Sequence, residues 1–132
     1  MASFAYISKH KIKYMNKRTN FCIKGVTGVS YDFDAFYISG SLEELKNMLG
    51  AVPGVCAFLH LDSDSCDTGN YRLLYCGETS NLCSLFDTLP STGISSQATL
   101  FCFVYEPSEL VRKDILTDIL LGNYSVYNEQ QN

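Results

Sequence analysis

Apolar and polar positions alternate along the first third of the chain. Phe4, Tyr6, Ile12, Tyr14, Phe21, Ile23, Val26, Val29, Tyr31, Phe33, Phe36 and Ile38 are strand-type residues, many of them two apart. That spacing puts side chains on one face of a β-strand. Asn16-Lys17-Arg18-Thr19-Asn20 reads as a hairpin loop, and Gly25 and Gly28 mark turns or bulges. The period changes at Ser41-Leu42-Glu43-Glu44, a capping box. Leu42, Leu45, Met48 and Leu49 then share a helical face, and Gly50 ends it, which predicts a helix over 41–49.

The rest of the chain alternates apolar runs with turns. Val52-Pro53-Gly54 is a turn, followed by the apolar strand Val55–Leu61 and a polar loop from Asp62 to Asn70. Tyr71–Cys76 reads as the returning strand, closed by a tight turn at Gly77. A short amphipathic helix is expected over 79–88, with Thr79 as its N-cap and Leu82, Leu85 and Phe86 inward. Ser91–Gln97 reads as a loop and Thr99–Tyr105 as a buried strand. Glu109–Leu121 reads as a helix with Leu110, Ile115, Leu116, Ile119 and Leu120 inward, closed by Gly122. The fold expected is α/β in the broad sense, with an α+β layout. A small antiparallel sheet carries 55–61, 71–76 and 99–105, flanked by helices. The N-terminal β-ribbon either extends this sheet or forms a second small one. One domain is expected, with 1–50 as an extension of a core over 51–129.

Composition narrows the class. The 46% apolar and 18% charged residues fit a globular domain. No run approaches eighteen apolar residues, and the first residues lack a basic segment followed by an apolar one. No membrane partner and a cytoplasmic location are therefore expected. Six cysteines include no CxxC, and Cys56, Cys76 and Cys102 lie in apolar strand-like runs, as buried reduced thiols do. Neither His10 nor His60 has a cysteine at zinc-ligand spacing. The aspartates after residue 61 miss the calcium-loop pattern, because Asp67 stands where its glycine belongs and its closing glutamate is absent. No metal site or cofactor is implied.

Charge is segregated. Residues 1–31 hold six basic residues and no acid, whereas 32–132 hold four basic residues and all fourteen acids, a balance of −10. Nucleic-acid affinity would have to come from Lys9, Lys11, Lys13, Lys17 and Arg18. Ile12 and Tyr14 alternate with Lys11 and Lys13, so the basic face is either an ordinary solvated strand face or a phosphate-contacting ribbon.

Short motifs carry a resemblance. Gly54-Val55-Cys56, then Tyr75-Cys76-Gly77, then Thr79-Ser80-Asn81-Leu82, and finally Tyr127-Asn128 with Ile119-Leu120 upstream follow in order along 52–129. This series resembles the GIY-YIG nucleases, which include homing endonucleases and the incision domain of a bacterial excision-repair nuclease. The resemblance implies two strand tyrosines flanking an attacking water, an arginine neutralising the phosphate, and a glutamate holding one divalent metal. On this chain those positions fall at Cys56, Tyr75, Leu85 and Leu116. Only Tyr75 is kept, and leucine neither binds Mg²⁺ nor offsets phosphate charge.

A nuclease-dead relative is therefore expected, with Tyr75 and Cys56 as vestiges of the catalytic pair. It would act as a binding or regulatory module for a protein or nucleotide-like partner. Ligand contacts are expected from Tyr75, Gly77, Thr79, Asn81 and Asn128. By analogy alone, an inhibitor or accessory factor of a phage or mobile element would suit such a scaffold. Two alternatives stand beside it. One is nucleic-acid binding through the basic N-terminal segment. The other is a divergent Mg²⁺-dependent endonuclease using Tyr75, Arg72 and Asp114 or Asp118, with Arg112 or Arg72 replacing the missing arginine. Cys56 is not expected to act as a nucleophile, since His60 lies four residues along the same strand, roughly 13 Å away.

Overall fold

The computed structural model describes residues 18–38, 46, 47, 49–62, 71–89 and 93–129, without the side chains of 18, 19, 95 and 129. Among the described residues five strands form one antiparallel sheet: β1 (Arg18–Lys24), β2 (Ser30–Tyr37), β3 (Gly54–Leu61), β4 (Tyr71–Thr79) and β5 (Leu100–Tyr105). Their order is β1-β2-β5-β3-β4. The ribbon β1–β2 thus extends the sheet through β5, resolving the choice the sequence leaves open. The layout is α+β.

Alternation along the strands builds two cores, one on each face of the sheet. On one face Phe36, Phe101, Phe58 and Tyr75 stand side by side across β2, β5, β3 and β4. Burial of each aromatic ring stabilises by roughly 1.5–3 kcal/mol. The Phe58 and Phe101 centroids are 5.2 Å apart. On the opposite face the row running from β2 to β4 is Ala35, Cys102, Ala57 and Cys76. These side chains are small, so a helix can approach closely. The helix Glu109–Gly122 packs over β3 and β4 there, with Ile119 fully buried.

Among the described residues four helical segments have both ends described: α1 (Leu82–Leu85), α2 (Ile94–Gln97), α3 (Glu109–Gly122) and α4 (Val126–Glu129), with a 3₁₀ turn Phe86–Thr88 after α1; Lys46 and Asn47 are also helical. Segments α1, α2 and α4 contribute Leu82, Leu85, Ile94 and Tyr127 to the aromatic face, opposite α3. Ser108 caps α3 by accepting from the Val111 amide at 3.3 Å.

Several sequence expectations shift. Gly77 is no turn, because β4 runs through it to Thr79. The helix expected from 79 starts at Leu82, and its N-cap is Asn81, whose Oδ1 accepts from the Ser84 amide at 3.3 Å. Thr79 ends the strand instead. Residues 94–97, read as loop, form α2, and residues 18–20, read as part of a hairpin loop, belong to β1. Leu110, placed inward by the helical pattern, is 73% exposed. It sits in the first turn of α3, where Arg112, two residues on and so on the other side of the helix, takes the inward position. The capping box at Ser41, most of the helix expected over 41–49, and most of the 62–70 loop lie outside the described residues.

Candidate functional site

A β-bulge decides where Tyr75 points. The register of β3 against β4 slips between Phe58 and Leu59: Phe58 pairs with Tyr75 and Leu59 with Leu73, leaving Leu74 unpaired. An extra residue reverses the alternation beyond it. Leu73 therefore faces the α3 side, while Leu74 and Tyr75 both face the aromatic side. Tyr75 leans along the strand over Gly77, where an added β-carbon would meet its Cε2 at 2.9 Å and its Oη at 3.0 Å. Gly77 is needed for that close approach rather than for a turn.

The chemistry at this spot is subdued. Cys56 pairs with Gly77 and is fully buried, and Tyr75 is 8% exposed. Burial pushes the Cys56 thiol up to about 12, opposed by a hydrogen bond with the Gly77 backbone. The Tyr75 phenol also rises to about 12, through burial first and then Cys56 and Cys76. Neither group ionises near neutral pH. His60 is occupied elsewhere, with Nδ1 2.8 Å from the Gln97 carbonyl oxygen.

Of the four positions carried over from the resemblance, Cys56, Tyr75 and Leu85 share the aromatic-side cluster, whereas Leu116 packs on the opposite face. Thr79 and Asn81 engage each other: the Asn81 amide donates to Thr79 Oγ1 at 3.0 Å, and that hydroxyl donates to the Asn81 carbonyl at 2.9 Å. Asn128 is held against Cys76. Its Oδ1 accepts from the Cys76 amide at 2.8 Å, and its Nδ2 donates to the Cys76 carbonyl at 2.9 Å. Comparisons with family models, curated proteins and solved structures found no match for this chain.

Arg112 and Asp118, named from sequence only as relocated nuclease groups, are polar anchors on the α3 side. Arg112 is buried, and its Nε donates to Glu78 Oε1 at 2.8 Å. Its Nη1 donates to the carbonyls of Glu106 at 3.2 Å and Pro107 at 2.9 Å. The second anchor, Asp118, ties the β1–β2 loop to α3. It accepts from the Thr27 amide at 2.9 Å, the Thr27 hydroxyl at 2.8 Å and the Tyr31 hydroxyl at 2.6 Å. Those bonds, led by Tyr31, hold its carboxyl below the ordinary 3.8, while Tyr31 rises to about 12. Gly25 leaves room for this carboxylate, which any β-carbon there would strike. A repeat period carries no signal for partners 87 or 91 residues apart.

These placements bear on the relocated nuclease site. Asp118 is engaged by the loop, Arg112 by Glu78, and both lie across the sheet from Tyr75. Arg72 is exposed, its Nη1 3.4 Å from Gln97 Oε1. Among the described residues no three His, Cys, Asp or Glu side chains group to hold a metal. Lys9, Lys11, Lys13 and Lys17 lie outside the described residues, and of Arg18 only the backbone is described. Of the cysteines described, Cys56, Cys76 and Cys102 are buried free thiols, Cys83 is half-buried and Cys22 exposed. No described helix is long and apolar enough to cross a membrane.

Proposed function

We propose that this chain is a non-catalytic binding module built on a scaffold resembling the GIY-YIG nucleases. The observation that carries the reading is the filled interior where that chemistry would occur. Cys56, Tyr75 and Leu85 pack in one apolar cluster, none more than 8% exposed. A phosphate diester cannot reach groups that solvent barely reaches, and a phenol at about 12 is a poor base near neutrality. The order of two strands, two short helices, a strand and a longer helix over 54–122 supports the scaffold part of the reading. With its interior closed, the module meets a protein partner through its outer surface.

Two experiments test this. Incubation of the full chain with labelled single- and double-stranded DNA and RNA and millimolar Mg²⁺ or Mn²⁺ should leave every substrate intact. A metal-dependent cut that disappears in Tyr75→Phe would overturn the reading. Capture from the native host, with and without added nuclease, should retain the same protein partner in both arms. The six basic residues and absent acids of 1–31 favour one other reading, binding of nucleic acid without cleavage. It requires affinity that falls steeply with salt and is lost in Lys11→Glu with Lys13→Glu.

A further inference from the structure

The edge of β4 is closed in an unusual way. In the sheet order β4 is an outermost strand, so alternate backbone groups point away from β3. No strand covers them among the described residues. A short segment of the chain's own C-terminal part does so instead. Ser125 forms a single parallel bridge with Leu73, and the Asn128 amide takes both edge groups of Cys76, as a neighbouring strand would. Ser125 Oγ donates to Asn128 Oδ1 and fixes that amide. Between them Tyr127 is sunk into the aromatic-side core against Gly93, and its hydroxyl accepts from Gln97 Nε2 at 2.8 Å.

This segment is fastened separately from what precedes it. Asn123 Nδ2 donates to the Ile119 carbonyl at 2.9 Å and the Lys24 carbonyl at 2.8 Å, securing the end of α3 without help from 125–128. Tyr124, the one residue between, is 70% exposed. Beside it a cavity of about 250 Å³, lined by Tyr71, Arg72, Leu73, Asn123 and Tyr124, continues the same edge. Among the described residues the edge is thus occupied at Leu73 and Cys76, while Tyr71 and Arg72 line the cavity.

We infer that residues 125–128 are a removable strap over a strand-binding edge, and that an extended segment of a partner protein takes their place. The incoming segment runs parallel to β4 from the open cavity, pairs with the edges of Leu73 and Cys76, and carries an aromatic side chain for the site Tyr127 leaves. Main-chain pairing gives such a contact its affinity, and the aromatic socket its selectivity. The identity of the occupant rests on the binding-module reading, whereas the opening of the strap does not.

Amide hydrogen exchange of the full chain tests both parts. In Asn128→Ala the Cys76 amide should exchange at least about tenfold faster, with Phe58 and Phe101 unchanged, because the strap opens below the level of global unfolding. A synthetic peptide spanning 123–132, added in trans to that variant, should restore protection, and the same peptide with Tyr127→Ala should not. If Cys76 accelerates only in step with Phe58 and Phe101, or stays slow, the strap is an integral part of the fold and the inference fails. It also fails if the peptide leaves Cys76 unprotected. A dimer of Asn128→Ala in sedimentation, with Cys76 protected again, would assign the edge to a second copy and overturn the partner segment. Metal-dependent cleavage would remove the module reading while leaving the exchange result in place.

Discussion

Replacing Arg112 with methionine removes a cation from an ion pair while keeping most of its aliphatic stem. Arg112 is 5% exposed and Glu78 19%, with 2.8 Å between Nε and Oε1. The substitution strands the Glu78 carboxylate and takes a donor from the carbonyls of Glu106 and Pro107. Removing one member of a buried pair costs about 3–5 kcal/mol. Glu78 keeps some contact with water, so the lower end applies, about 3 kcal/mol. For a chain of 132 residues that lowers Tm by roughly 10 °C. Glu78→Gln leaves Arg112 an acceptor and should cost about 1–2 kcal/mol. The double variant strands no charge, so its cost should fall short of the sum by about 1–2 kcal/mol. Urea unfolding followed by far-ultraviolet circular dichroism suits a chain without tryptophan, and the m-value should hold constant. Additivity within about 0.5 kcal/mol, or a cost below about 1 kcal/mol for Arg112→Met, would refute the reasoning. Arg112 would then be free to meet a phosphate, and the relocated-nuclease reading would regain a group.

Three further outcomes follow from the same geometry. Gly77→Ala should destabilise by about 1–3 kcal/mol through its clash with the Tyr75 ring, and Tyr75→Leu in the same chain should recover part of that loss in the urea midpoint. On the alkaline side, the unfolded chain gives up the Cys56 proton from 9.0 and the Tyr75 proton from 10.0, while the folded chain holds both to about 12. Their contribution is complete below pH 9.0 and declines as pH rises towards 12, and Cys56→Ala with Tyr75→Phe should flatten that decline. On the acid side, Asp118 is held below its ordinary 3.8, so its contribution is present above that pH and fades as pH falls further. Asp118→Asn should weaken the acid limb of the stability profile and speed exchange of the Thr27 amide.

Local patterns in the sequence located most of the framework. Residues 30–37, 55–61, 71–76 and 100–105 are strands where alternation and apolar runs placed them, and α3 falls within a residue of its expected end. What the patterns missed came from contacts between distant residues. Gly77 looks like a turn because glycine is permissive, but the Tyr75 ring needs the space above it. Thr79 and Asn81 are both plausible caps, and the length of β4 decides between them. Ile94–Gln97 is too short for helical periodicity to register. Tyr75 and Asn128 were legible as noteworthy residues. Their surroundings were not, because the Leu74 bulge and the pairing of Asn128 with Cys76 are tertiary facts.

The unpaired Leu74 also constrains how the chain can change length. Deleting Leu74 would leave Tyr75 on the aromatic side and Cys76 on the side of α3, because strict alternation from Leu73 puts them there. Regular pairing with Leu74 kept would do the opposite: it would turn the rest of the strand over and carry Tyr75 to the side of α3 and Cys76 to the aromatic side. The bulge absorbs the one residue that regular pairing has no place for. Parity, a property of no single residue, is what it preserves.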